Sequence, residues 1–217
     1  MKIAIDGPAG AGKSTIAKIV SKTLGYIYVD TGAMFRAIGY QCINNNVSPD
    51  DIKAIEDNAK QADVTIKYIN DIQRVFLNGI DVTDHLREEA VGNMASAVAV
   101  IPAVRESLLD LQRKIASENN VVMDGRDIGT CVLPDAELKI YLTASSKVRA
   151  KRRFDELKEK GESPDIDVIE KDIIERDRKD MTRDIAPLKQ AEDAILIDSS
   201  YMTIDEVADK IISLIPS

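Results

Sequence analysis

The run Gly7-Pro8-Ala9-Gly10-Ala11-Gly12-Lys13-Ser14 fits the spacing G-x-x-x-x-G-K-[ST]. Small residues there let backbone N–H groups wrap a phosphate, and the start of the following helix adds its positive dipole. Lys13 has the reach to bridge β- and γ-phosphates, and the Ser14 hydroxyl suits Mg²⁺. This cradle points to a nucleoside triphosphate. It does not separate ATPases, GTPases and kinases. A guanine-reading N-K-x-D is absent from the chain, which disfavours a GTPase.

Other clusters supply acids and guanidinium groups. Asp6 and Asp124 sit at predicted strand ends, and either has the chemistry to support Mg²⁺ through water; both also fit capping or turn roles. In Asp30-Thr31-Gly32-Ala33-Met34-Phe35-Arg36, Thr31 is expected to cap a helix whose first turns carry Arg36, making an anion site; plain capping beside a surface arginine fits as well. Asp124-Gly125-Arg126-Asp127 puts two acids and an arginine at a strand tip. Arg126 offers bidentate phosphate contacts. Asp127 can accept a proton from the amino group of a base, the contact expected where an acid reads cytosine. A salt-bridged turn is the alternative.

Arg149, Arg152 and Arg153 share one face of a predicted helix and should repel one another until an anion arrives; a solvated charged helix fits the same pattern. Arg176, Asp180 and Arg183 are also spaced for one helical face. There Asp180 suits ribose hydroxyls and the arginines suit phosphate, against the alternative of a surface ion pair. His85 is the only histidine; it lies away from these motifs and reads as a surface residue.

These groups need a sheet edge to hold them. Ile3-Ala4-Ile5, Ile27 to Val29, Val121-Val122-Met123, Lys139 to Leu142 and Ala194 to Ile197 read as strands. Between them, helical spacing runs over Ser14 to Leu24, where Gly25 stops it, then Ala33 to Ile43, Pro49 to Ala62, Leu86 to Val100, Pro102 to Ser117, Ser146 to Lys160, Ile166 to Lys179 and Ile204 to Ile215. Strands alternating with helices predict a parallel sheet covered on both faces. From Val64 to Val82 the period changes to alternation. Asn78-Gly79 marks a hairpin there, so a small antiparallel insert is expected.

The formal charge of −8 and pI of about 4.8 argue against a nucleic-acid polymer or an anionic membrane as partner. They leave room for a small anionic ligand, because a cleft focuses the field of a local arginine cluster. Cys42 and Cys131 lie outside any metal-like spacing and read as reduced cytosolic thiols. No signal peptide or spanning apolar stretch is visible in this sequence, and a cytoplasmic location is expected. With no Trp and 4% aromatic residues, the core should be built from Ile, Val, Leu and Ala.

Taken together, I-D-G-P-A-G-A-G-K-S-T, V-D-T-G-A-M-F-R, the insert, N-M-A-S-A-V, the Pro102 to Arg105 stretch, V-M-D-G-R-D-I-G-T, R-x-x-R-R and R-x-x-x-D-x-x-R before A-P-L resemble the bacterial-type cytidylate kinases over nearly the whole chain. The resemblance implies a P-loop α/β kinase: one domain over 1–217, with a core (1–34, 102–147, 168–217), an acceptor-nucleotide region carrying the β insert (35–101) and a helical lid (148–167). It implies ATP and Mg²⁺ as cofactors, CMP and dCMP as acceptors, and a monomer. Gly7, Gly10, Ala11, Gly12, Lys13, Ser14, Thr15, Arg152 and Arg153 would hold the donor, with Ser14 on the metal. Ser96, Arg105 and Asp127 would contact cytosine, and Thr31, Arg176 and Asp180 the ribose. Arg36, Arg126 and Arg183 would hold the acceptor phosphate near Asp124; Lys13, Arg126 and Arg183 form the expected catalytic set. Phe35 stands where the family often has Tyr, and Thr31 where Ser is frequent. A P-loop kinase of another small metabolite and a nucleotide-gated binding module remain the alternatives.

Overall fold

A computed structural model describes residues 1–70 and 72–215. Its strands and helices run in the order β1 (Lys2–Asp6), α1 (Lys13–Leu24), β2 (Ile27–Asp30), α2 (Thr31–Asn44), α3 (Ile52–Gln61), β3 (Val64–Ile69), β4 (Ile72–Leu77), β5 (Ile80–Asp81), α4 (Glu89–Val98), α5 (Pro102–Glu118), β6 (Val121–Gly125), β7 (Leu138–Thr143), α6 (Ser146–Glu159), α7 (Ile166–Thr182), β8 (Ile195–Asp198) and α8 (Ile204–Ser213). The larger sheet has five strands in the order β2-β6-β1-β7-β8, the smaller has three in the order β3-β4-β5. The expected α/β architecture with a separate antiparallel insert is therefore present.

The chain divides into two units, residues 1–26 with 122–217, and residues 27–121. In the first unit β1 and β7 pair in parallel with Ile3 opposite Leu138, and β7 pairs with β8 with Leu142 opposite Ile197. Ile3, Ile5, Met123, Ile140, Leu142 and Ile197 are fully buried here. Each such side chain contributes on the order of 1.5–3 kcal/mol. Strands buried on both faces read as continuous apolar runs, as β1 and β6 do.

The helix ends explain how this unit meets solvent. Gly25 takes φ 68, closing α1 in the left-handed conformation while the Tyr26 N–H bonds Ser21 O at 2.8 Å. Thr203 and Glu206 form a reciprocal capping box that starts α8.

In the second unit, Met34, Ile38, Ile55, Leu86 and Leu108 form the buried centre. β3 and β4 pair antiparallel, Val64 opposite Leu77 and Tyr68 opposite Gln73. Two helix expectations shift. The helix expected from Pro49 begins at Ile52, because the Asp51 carboxylate accepts the Ala54 N–H at 3.0 Å and fixes the start there. The helix expected over 86–100 covers only Glu89–Val98. Thr83–His85 forms a separate short 3₁₀ turn, and Glu88 is extended. At the other end Pro102 pushes Ile101 out of the helical region, to φ −91, ψ 121.

Candidate active site

Within the first unit, β1 delivers the chain into the cradle. Gly7, Gly10 and Gly12 take φ 149, 74 and 91, so the loop needs residues without a Cβ. At Gly7 the need is also spatial, since a Cβ would lie 1.9 Å from Leu142 O. Gly10, Gly12, Lys13, Ser14 and Thr15 line a cavity of about 330 Å³ together with Arg149, Arg152, Arg153 and Glu156 of α6.

Lys13 is buried, and its Nζ donates to Pro8 O at 2.8 Å. Burial, aided by the nearby Arg126 guanidinium, brings its ammonium down to about 7, against the opposing pull of Asp124, Asp6 and Asp180. The Ser14 hydroxyl donates to Asp124 Oδ2 at 3.0 Å. A hydroxyl and a carboxylate side by side are the hard oxygen donors Mg²⁺ takes alongside phosphate oxygens, so this pair fits that ion.

Asp6 lies beside the cradle. Its two carboxylate oxygens accept the Ile128 N–H at 2.8 Å and the Gly129 N–H at 2.7 Å, a clamp on the loop after β6. Burial raises its carboxyl to about 6, although the two amides favour the charged form. The clamped loop continues as a wide turn over Ile128–Val132, in which Leu133 N–H reaches back five residues to Ile128 O at 2.7 Å. Nothing in the local pattern of the sequence signals this turn.

The clamped loop carries Arg126 and Asp127. Arg126 Nε donates to Asp180 Oδ2 at 2.8 Å, and Arg183 Nη2 stands 3.9 Å from Asp127 Oδ1. Four expected acceptor residues thus meet in pairs. Arg183 does not continue the face of α7 as its spacing suggested. It caps the helix with φ −66, ψ 142, and its guanidinium bonds Ala186 O. Arg176 stays on α7 and is exposed.

The arginine trio of α6 also resolves differently from the expectation of mutual repulsion. Arg149 is buried and paired with Asp177, its Nη1 at 3.1 Å from Oδ1, and it also holds Ala144 O and Ala9 O of the cradle loop. Arg152 donates to Ser199 O at 2.9 Å, and Arg153 pairs with Glu156 at 3.0 Å near solvent. Asp177 and Ser199 carried no motif of their own in the sequence.

In the second unit, the cap of α2 is Asp30 rather than Thr31: Asp30 Oδ1 accepts the Ala33 N–H at 2.9 Å, and Thr31 becomes the first helical residue, buried. Aspartate before the helix reaches the third amide as well as a threonine does, and the extended φ of Asp30 suits the cap. Asp30 Oδ2 pairs with Arg36 Nη2 at 2.9 Å. Arg105 donates to Ala99 O at 3.3 Å, and its guanidinium lies 5.6 Å from the Phe35 ring centre. Ser96 is exposed on α4, its hydroxyl donating to Gly92 O at 3.3 Å. His85 is a surface residue, stacked on Tyr40 at 5.3 Å between ring centres.

Residues 3–217 match the protein-family model described as "Cytidylate kinase". A curated protein named "Cytidylate kinase" from Caldicellulosiruptor saccharolyticus is 52% identical over 214 residues, covering 99% of this chain and 95% of its own. One of the same name from Listeria innocua is 51% identical over 212 residues, covering 98% and 94%. Among solved structures, an uncharacterized protein from Eubacterium ventriosum aligns with a TM-score of 0.55 at 13% identity, covering 98% of this chain and 96% of that one, a likeness of fold alone.

Proposed function

The chain belongs to the cytidylate kinase family, and we propose that it transfers the γ-phosphoryl group of ATP to CMP, and to dCMP, giving ADP and the nucleoside diphosphate. The observation that carries this reading is the match over residues 3–217, which spans the triphosphate cradle and every residue assigned to the acceptor.

The cradle amides between Gly7 and Thr15 bind the donor phosphates, with Ala11 keeping the loop small. Lys13 leaves Pro8 O to neutralise the β- and γ-phosphates. Arg152 and Arg153 close over the donor from α6, within the lid over 148–167, which excludes water. Ser14 would hold Mg²⁺, with Asp124 supporting it through water; when bound, the ion supplies charge neutralisation on the phosphate oxygens. Arg36, Arg126 and Arg183 orient the acceptor phosphate, Thr31, Arg176 and Asp180 the ribose, and Ser96, Arg105 and Asp127 the cytosine.

One acceptor phosphate oxygen bonds to the γ-phosphorus while the bond to the β,γ-bridging oxygen breaks, and ADP departs. The attacking oxygen is already ionised, so no general base is required. Positioning and charge stabilisation carry the acceleration.

The reading includes a cytoplasmic monomer acting on small molecules in pyrimidine nucleotide metabolism. Among the described residues no helix is long and apolar enough to cross a membrane. ADP formation from Mg-ATP, measured with CMP, dCMP, UMP, AMP, GMP or shikimate, tests the proposal. Turnover should depend on CMP or dCMP. A response to shikimate alone, or equal ADP release without acceptor, would overturn it in favour of a metabolite kinase or a nucleotide-gated module.

A further inference from the structure

The antiparallel insert reaches back to β2 through two side chains that face each other across its first hairpin. Tyr68 on β3 and Gln73 on β4 are register partners. The Tyr68 hydroxyl donates to Tyr28 O at 3.1 Å. Gln73 bonds both backbone groups of Asp30: its Oε1 accepts the Asp30 N–H at 2.8 Å, and its Nε2 donates to Asp30 O at 3.3 Å. A single primary amide thus satisfies one residue's donor and acceptor together, as a neighbouring strand would.

What Gln73 holds matters because of what Asp30 holds. One Asp30 oxygen caps α2 on the Ala33 N–H, and the other pairs with Arg36. The corner is tight: a Cβ on Gly32 would come within 3.0 Å of Arg36 Nη1 and 3.2 Å of Asp30 Oδ1. Arg36 Nε is buried with no hydrogen-bond partner, and the side chain as a whole is 28% exposed, so part of this guanidinium can meet a ligand.

We propose that Gln73 is a positioning residue for the acceptor phosphate, fixing the Asp30 peptide so that the Asp30 carboxylate presents Arg36 to its ligand. The inference rests on the reading of Arg36 as an acceptor-phosphate group. It gives the insert a task in acceptor recognition without any contact between Gln73 and the nucleotide.

The test uses the full chain with Gln73→Ala, Gln73→Glu and Tyr68→Phe, each also combined with Arg36→Met. Loss of the paired bonds in Gln73→Ala should raise the KM for CMP about tenfold, with kcat and the KM for ATP held within about twofold. Gln73→Glu keeps the acceptor for Asp30 N–H but turns an anionic oxygen toward Asp30 O, so its KM should rise at least as far. Tyr68→Phe removes a more distant anchor and should raise KM by about two- to threefold, leaving the idea testable if the Gln73 variants fold poorly. In the Arg36→Met background, Gln73→Ala should add nothing, because the two residues act through one arm.

Amide hydrogen exchange at Asp30 and Ala33 should quicken in Gln73→Ala while Met34 and Ile38 stay protected. That readout needs no turnover, so failure of the clamp is distinguishable from failure of the kinase reading, which the wild-type acceptor panel decides. An unchanged KM for CMP, an equal rise in the KM for ATP, or a full additional loss in the Arg36→Met background would overturn the proposal.

Discussion

Binding of the donor nucleotide should draw a proton onto Lys13. In the free protein the ammonium is buried against Pro8 O with Arg126 nearby, and its pKa is brought down to about 7. Asp6, Asp124 and Asp180 pull the other way and do not restore the usual lysine value. A triphosphate placed against Nζ strongly favours the charged form. Above its pKa of about 7, Lys13 should be mostly neutral in the free protein, so at pH 8 binding should take up close to one proton per site, and much less at pH 6. Nucleotide phosphates are already ionised at pH 8, so uptake there belongs to the protein. Titration calorimetry with Mg-ATP in buffers of contrasting ionisation enthalpy counts the protons. By linkage, the Kd should weaken nearly tenfold per pH unit above 8. Lys13→Met should abolish both effects. Tight binding at pH 8 with no proton uptake, or equal uptake in Lys13→Met, would refute the placement of this lysine in a desolvated phosphate site.

The raised carboxyl of Asp6 sets a stability slope. Its folded pKa of about 6 exceeds the ordinary 3.8, so between those values the folded chain binds more protons, and stability falls as pH rises through the window. Asp6→Asn lacks that slope. Urea unfolding should show the variant gaining about 2.5 kcal/mol relative to wild type between pH 4 and pH 7, on top of a pH-independent loss of one amide bond; parallel curves would count against a buried charge. Asp177→Asn leaves the buried Arg149 guanidinium without its counter-charge and should cost about 3 kcal/mol in urea melts while raising the KM for ATP, because Arg149 also pins Ala9. Gly7→Ala drives a methyl into Leu142 O and should cost more than about 4 kcal/mol or prevent folding. Gly25→Ala, with open space around it and only a left-handed φ to strain, should cost about 1–2 kcal/mol in the same assay.

What was legible in the sequence was local. The cradle, the Gly25 stop and the Asn78-Gly79 turn each depend on residues within a few positions, and the sheet follows from apolar runs alternating with helical spacing. The candidate acceptor residues stood out only as residue types, because arginines and carboxylates repeat at helical spacing and at strand ends. Their partners were not. Asp6 with Ile128 and Gly129, Arg149 with Asp177, and Arg126 with Asp180 join segments far apart in the chain, and no short pattern records such a pairing. Spacing also misled at a helix end: Arg183 has the position of a third face residue on α7 but caps the helix just beyond Thr182. At α2 two capping residues stand side by side, Asp30 and Thr31, and only the backbone angles decide between them.

The central claim is that Lys13 and the arginines proposed for donor and acceptor let two anionic nucleotides react. Single-turnover transfer from Mg-ATP to CMP by Lys13→Ala, with the fold checked by amide exchange in β1 and β6, tests it most directly. Transfer slowed by at least about a hundredfold with exchange protection retained is the predicted result; transfer within about threefold of wild type would contradict it.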